Sequence, residues 1–234
     1  MKIALLGYGR MGKAIEIIAQ ERGHDIVATI DKDNPNDVFD HADVAINFSI
    51  PAAAVNNITH AIKQGVPVVC GTTGWLEHKE EIEKLCEEKK GAFLYASNFS
   101  LGVNILFAFN KKLAQTMGQY TQYKASMEEI HHTGKLDAPS GTAITLAEGI
   151  LPHSNQQAWK LAEEANKNDL AITAKREPNV PGTHTVNYIS ETDTISIEHI
   201  AHNRDGFALG AVMAAEWIVG KSGIFNMQDV LNIT

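Results

Sequence analysis

The run Gly7-Tyr8-Gly9-Arg10-Met11-Gly12 constrains this chain more than any other feature, because of what flanks it. Before it stands Lys2–Leu6, an apolar run closing in glycines, which reads as a buried parallel strand. After it comes Met11–Gln20, with Ala14, Ile15, Ile18 and Ala19 along one side of a helix. In a strand–turn–helix of this G-x-G-x-x-G form, Gly7 permits the tight turn and Gly9 lets the backbone approach a diphosphate. Gly12 lets helix and strand pack closely, and the diphosphate rests on the helix N-terminus. The next strand, Asp25–Ile30, is followed by Asp31, 19 residues beyond Gly12, where an acid on an adenosine ribose is expected. The run therefore reads as a dinucleotide fingerprint, with Gly7, Tyr8, Gly9, Arg10, Met11 and Gly12 against the cofactor. Asp31 suits a free 2′-hydroxyl, hence NADH. Lys32 beside it could pair a 2′-phosphate, so NADPH stays open, although a solvated lysine would look the same. A flavodoxin-like domain using these glycines only for packing is the competing reading.

Strand and helix go on alternating. Val44–Phe48, Val66–Cys70 and Phe93–Ala96 have strand character, and Ala52–Lys63 and Leu76–Lys90 are helical. This spacing predicts a doubly wound parallel sheet of α/β class, Rossmann-type. Two loops fall at the carboxyl ends of its strands, where such sheets bind ligands. One holds Gly71, Thr72 and Thr73, whose small side chains would let a nicotinamide or ribose lie against the backbone. The other holds Ala96, Ser97, Asn98 and Phe99. Either alone could be a plain turn with Thr72 or Ser97 as a helix cap.

From Leu101 the pattern changes. Leu101–Met117 and Ser140–Leu151 read as helices, and Tyr120–Ile130, Ala171–Arg176, Thr185–Ser190 and Thr194–His199 as strands. Pro152–Asp169 is a polar stretch, helical or a surface excursion. A run of strands after an alternating region predicts a second, α+β domain. The apolar helix Arg204–Gly220 suits packing back on the first. The expected division is 1–102 plus 207–234 for the dinucleotide, and 103–206 for substrate and oligomerisation.

Bulk properties exclude other classes. A net charge of −8 with no basic cluster argues against nucleic acid as a partner. No segment approaches the ~18 consecutive apolar residues of a membrane span. Met1–Leu6 resembles the start of a signal peptide but runs into Gly7-Tyr8-Gly9 without a cleavage site, so a cytoplasmic location is expected. Cys70 and Cys86 are too few for a disulfide framework and read as core thiols.

The stretch from Glu129 to Ala143 carries the chemistry. It reads as a strand ending in His131 and His132, a loop bearing Lys135, then a helix starting near Ser140. Ser140, Gly141 and Thr142 set small hydroxyl residues at a helix N-terminus, a ready anion site, and Lys135 adds a positive charge. A carboxylate fits better than a phosphate, since the dinucleotide's phosphates are placed elsewhere. His131 and His132 bring imidazoles that titrate near neutral pH, suited to proton donation. A structural histidine pair and an ordinary N-cap would show the same residue types. A zinc site is disfavoured, because neighbours on a strand point to opposite faces and no cysteine or carboxylate stands at ligand spacing.

The segment His131-His132-Thr133-Gly134-Lys135-Leu136-Asp137-Ala138-Pro139-Ser140-Gly141-Thr142-Ala143 resembles the dihydrodipicolinate reductase signature H-H-x-x-K-x-D-A-P-S-G-T-A. The resemblance extends through Gly9–Gly12, Gly71–Gly74, Asn98–Asn104 and Arg204–Ala211, in the family's order. It implies NADH- or NADPH-dependent reduction of a cyclic dicarboxylate, 4-hydroxy-tetrahydrodipicolinate, on the diaminopimelate route to lysine. It implies His131 as general acid, Lys135 as second proton donor or charge stabiliser, His132 as a substrate contact, and Gly141-Thr142 on a substrate carboxylate. It implies a homotetramer joined through the second domain's sheet, and domain closure over substrate; with the zinc reading disfavoured, no metal is expected. Two departures bear on cofactor preference: little chain between Asp31 and Val44, and a glycine run one residue tighter than G-x-x-G-R-M-G. An amino-acid dehydrogenase acting on an open-chain imine would share the nucleotide half but has no use for the Lys135–Ala143 loop. A nicotinamide-sensing regulator has no need of His131 and Lys135.

Overall fold

The computed structural model describes residues 1–31, 39, 41–203 and 205–233, so Lys32 and Arg204 lie outside the described residues. The chain separates into two compact units, Met1–Leu101 with Asp205–Thr234, and Gly102–Arg204. In chain order the elements are β1 (Lys2–Leu6), α1 (Arg10–Glu21), β2 (Asp25–Ile30), β3 (Val44–Asn47), α2 (Pro51–Lys63), β4 (Val68–Cys70), α3 (Lys79–Glu88), β5 (Ala92–Tyr95), α4 (Leu101–Met117) and β6 (Lys124–His131). There follow α5 (Gly141–Ile150), β7 (Trp159–Leu161), β8 (Leu170–Arg176), β9 (Gly182–Ile189), β10 (Thr194–Ala201), α6 (Asp205–Ile218), β11 (Gly223–Phe225) and α7 (Met227–Leu231). None of the helices formed by described residues is long and apolar enough to cross a membrane.

The first unit is built on a six-stranded sheet in the order β11-β5-β4-β3-β1-β2, parallel at every pairing. Both faces are buried, and the period of two in β1 sorts its residues between them. Ile3 and Leu5 join Ile15 and Ala19 of α1 and Ala208, Ala211 and Ala215 of α6. Ala4 and Leu6 join Ala54, Ile58 and Ile62 of α2 and Ile82 and Cys86 of α3. Each leucine or isoleucine so buried contributes roughly 1.5–3 kcal/mol. Helix α6 lies so close that a Cβ on Gly210 would stand 1.7 Å from the Phe99 carbonyl oxygen. Only glycine allows that approach.

Chain order reverses at β1, with β2 on one side of it and β3 on the other. The crevice beyond the carboxyl ends of β1 and β3 is the switch point at which such sheets take ligands.

The second unit has a five-stranded sheet, β10-β9-β6-β8-β7, in which β6–β8 and β7–β8 run parallel and β9 is antiparallel to β6 and β10. Its inner face carries Ala125, Met127, Ile172, Val186 and Tyr188, covered by Leu146, Ala147 and Ile150 of α5 and Leu106 and Ala114 of α4. Alternation turns Ile189 and Ile200 to the opposite face, where both are exposed.

Several boundaries depart from expectation for local reasons. Tyr120–Tyr123 is a turn rather than strand, closed by Tyr120 N to Met117 O and Tyr123 N to Tyr120 O. The helix expected from Leu76 begins as a 3-10 turn, Leu76–His78, after the buried Trp75, whose indole N–H donates to Thr72 O at 2.7 Å. The short β7, β11 and α7 carry too few residues for any periodicity to announce them.

Candidate active site

In the first unit the glycine run forms the β1–α1 turn at the switch point. Gly7 has φ of 105°, and a Cβ there would meet the Phe48 carbonyl oxygen at 2.3 Å. A Cβ on Gly12 would meet the Gly7 carbonyl oxygen at 2.3 Å, so α1 packs directly on the turn. Gly9 differs: nothing lies within 4 Å of its missing Cβ, and as N-cap of α1 it offers no side chain to the helix N–H groups. An open approach to uncapped N–H groups fits a dinucleotide diphosphate. Arg10 is exposed and Met11 half-buried at the start of α1. The Tyr8 hydroxyl donates to Glu16, which pushes its pKa up. Asp31 is half-buried just past β2.

The two other cofactor loops follow β4 and β5, on the same sheet edge as the glycine turn. Their residues divide. Thr73 and Ser97 are exposed, and Ala96 and Asn98 are half-buried. Thr72 and Phe99 are taken up by packing. The Thr72 hydroxyl accepts from Ser49 N at 2.9 Å and Asn47 Nδ2 at 3.2 Å. Phe99 is 1% exposed, with its ring 5.5 Å from that of Phe48. Gly71 is half-buried, and on its Cβ side the Phe48 ring fills the space, 2.2 Å from where a Cβ would stand. Asn47 and Phe48, which shape this edge, went unmarked in the sequence. An asparagine closing an otherwise apolar strand was the available signal.

In the second unit β6 alternates strictly, so Glu129 and His131 extend the inward row begun by Ala125 and Met127. Glu129 is fully buried, and its register partner across β9 is His184. The Glu129 carboxylate accepts from Ser140 N at 3.0 and 3.2 Å and from an Arg176 guanidinium nitrogen at 3.2 Å. Its Oε2 faces His131 Nδ1 at 3.6 Å and His184 Nε2 at 3.8 Å. The two imidazoles meet edge to face with centroids 5.0 Å apart. Burial pushes the His131 pKa below its ordinary value, with Glu129 opposing and Lys135 and Arg176 assisting. Burial likewise takes His184 down to about 3, so that ring stays neutral.

Ser140 is the N-cap of α5: its hydroxyl accepts from Ala143 N at 3.2 Å and meets His184 Nε2 at 3.1 Å. Beyond it, a Cβ on Gly141 would meet nothing within 4 Å, so the helix start is open to a ligand. Thr142 is half-buried in the first turn. Lys135 Nζ pairs with Asp137 at 2.8 and 2.9 Å, which holds the Asp137 carboxyl below its usual range. His132 is half-buried, and its carbonyl accepts from Lys135 N at 3.0 Å, closing the turn.

Glu129, Arg176 and His184 are the site residues that sequence reasoning passed over. Glu129 was recoverable, standing two residues before His131 on the same strand face. Arg176 and His184 arrive through β8 and β9, and no local pattern marks them. The expectation that no carboxylate stands at ligand spacing to the histidines is corrected here. Ligand atoms of Glu129, His131 and His184 all lie within 4.8 Å of one another, because β9 brings His184 opposite Glu129. The Arg176 guanidinium on the same carboxylate makes this a counter-ion arrangement, unfavourable to a second cation.

The description "Dihydrodipicolinate reductase, N-terminus" matches residues 1–99, and "Dihydrodipicolinate reductase, C-terminus" matches residues 102–231. A 4-hydroxy-tetrahydrodipicolinate reductase of Christiangramia forsetii is 54% identical over 99% of this chain and 98% of its own length. The enzyme of that name from Alkaliphilus metalliredigens is 37% identical over the whole of both chains. Among solved structures, a dipicolinate-bound dihydrodipicolinate reductase from Paenisporosarcina sp. TG-14 superposes with a TM-score of 0.78 at 20% identity, covering 98% of each chain. That last likeness concerns the fold.

Proposed function

This chain belongs to the dihydrodipicolinate reductase family, and from that premise we propose that it reduces 4-hydroxy-tetrahydrodipicolinate to tetrahydrodipicolinate with a nicotinamide cofactor, in the cytoplasm. The observation that carries the reading is one carboxylate touching two functions. Glu129 accepts from Ser140 N at the open start of α5 and faces His131 at 3.6 Å, so an anion-binding helix end and a proton donor share one support.

The division of labour follows the two units. Gly7, Gly9 and Gly12, with Tyr8, Arg10 and Met11, hold the diphosphate at the switch point, while Thr73 and the Ala96–Asn98 loop stand at the same edge. Asp31 favours a free 2′-hydroxyl and therefore NADH. When bound, the reduced nicotinamide supplies hydride to the ring carbon left unsaturated by loss of water. This chain's own residues bind and protonate. The start of α5 at Gly141-Thr142 takes one substrate carboxylate, helped by the helix dipole. His132 contacts the substrate. His131 delivers the proton that the electron-rich ring requires after reduction, and Lys135, released from Asp137, offsets negative charge on the substrate. The outer face of the second sheet, with Ile189 and Ile200 exposed, is the surface through which four copies would join.

The test is a steady-state assay of NADH and NADPH oxidation, with substrate generated in situ from pyruvate and aspartate semialdehyde by a coupling synthase. Turnover is expected, with the larger kcat/KM for NADH. Absent turnover with intact nucleotide binding would turn the reading toward a sensor.

A further inference from the structure

We propose that Glu129 is the positioning residue of this site: its buried carboxylate orients His131 through Nδ1 and, by way of Arg176, holds the lysine loop in register with that ring. The inference rests on the reading of His131 as proton donor.

Glu129 follows the apolar Ala125 and Met127 on the inward row of β6, ahead of His131, and is fully buried. A leucine there would continue the row with no desolvation cost, so the carboxylate acts through its partners. Those partners are distributed unevenly. Arg176 binds Oε1, and Ser140 N reaches both oxygens, which leaves Oε2 facing the two imidazoles. His184 Nε2 already meets Ser140 Oγ at 3.1 Å. His131 Nδ1 is buried and has no hydrogen-bond partner among the described residues. Glu129, at 3.6 Å, is the acceptor that an Nδ1–H faces. With Nδ1 turned toward that carboxylate, Nε2 is the nitrogen that takes up and releases the proton. It lies over Gly182, where a Cβ would stand only 3.1 Å away, so that glycine makes room for the working end of the ring.

The reach of the carboxylate extends through one guanidinium. Arg176 donates from Nε to Lys135 O at 3.3 Å and from a terminal nitrogen to Asp137 O at 2.6 Å. Ring and loop therefore hang on the same buried charge. The charged and titratable groups around His131 are Glu129 on β6, Lys135 and Asp137 on the loop, Arg176 on β8 and His184 on β9, with His199 of β10 beyond His184. Glu129 and Asp137 favour the imidazolium, and Lys135 and Arg176 oppose it. Removing the Glu129 charge therefore lowers the pH at which the protonated donor is lost.

The experiment compares Glu129→Gln with His131→Gln in the full-length protein, measuring kcat against pH, nucleotide affinity and the thermal melt. Folded Glu129→Gln is expected to lose about 10²-fold in kcat, the scale of general-acid help. Its descending limb should move to lower pH by about one unit or more, with cofactor affinity unchanged. A folded Glu129→Gln with the parent's rate and limb would overturn the positioning role, while an inactive His131→Gln would leave the donor reading standing. Full turnover in His131→Gln would remove the donor reading and this inference with it. Independently of any variant's folding, ¹⁵N imidazole spectra of the parent protein should show neutral His131 protonated at Nδ1. Protonation at Nε2 would refute the inference.

Discussion

The two proposed ligand sites, one in each unit, are built by opposite means. The cofactor end of the first is made of backbone and missing side chains: Gly7 and Gly12 are pressed against neighbouring carbonyl oxygens, and Gly9 opens onto space. The chemical end of the second is made of ionisable side chains converging from β6, β8 and β9 on one buried carboxylate. A diphosphate needs N–H groups and room, which a contiguous hexapeptide can provide. Moving a proton onto a dicarboxylate needs an imidazole, a cation and a counter-charge at fixed separations, and distant parts of the chain must supply them.

The largest expected effects test the side-chain end. His131→Ala and Lys135→Ala should each lower turnover by about 10²-fold or more, about 2.7 kcal/mol of barrier, with folding and NADH binding intact. Ordinary activity in either would sink its assigned role. Next comes the backbone end, where Gly12→Ala drives a Cβ to 2.3 Å from the Gly7 carbonyl oxygen. Overpacking of this kind costs about 1–3 kcal/mol, so a lowered melting temperature is expected along with weakened cofactor binding. An unchanged melt would show that the turn relaxes freely.

A third prediction concerns acid. His184, with a folded pKa of about 3, binds its proton later than in the unfolded chain, where the value is near 6.5. Its contribution to stability is complete above pH 6.5. Between there and about pH 3 it is lost at about 1.4 kcal/mol per pH unit, as the unfolded state protonates first. Denaturant unfolding at pH 7, 6 and 5 measures this slope, and His184→Asn should flatten it. An equally steep slope in the variant would assign the acid sensitivity elsewhere.

The smallest effects sharpen the contrast between the ends. Gly9→Ala and Gly141→Ala both place a methyl where nothing lies within 4 Å, so neither should move the melt. Gly9→Ala should raise the NADH dissociation constant about tenfold, and Gly141→Ala the substrate KM by a similar factor, each near 1.4 kcal/mol. A substrate effect from Gly9→Ala alone, or a cofactor effect from Gly141→Ala alone, would exchange the roles given to the two helix starts.

Much of this was readable along the chain. The parallel first sheet follows from Lys2–Leu6, Asp25–Ile30 and Val44–Asn47, each bounded by turn residues, and the glycine turn from its contiguous motif. His131, Lys135 and the open start of α5 stand in one segment, and strand alternation followed by a helix cap is local physics. The packing duties of Thr72, Phe99 and Gly71 were not readable, because a buried ring or a committed hydroxyl depends on what folds over it. Pairing of β6 with β8 and β9 decided that Arg176 and His184 would meet Glu129. Register between strands some fifty residues apart is set by which faces bury together, and no periodicity within one strand contains it. Sequence alone determined which groups are present and which face of its own element each one takes. Tertiary structure decided which of them share a charge.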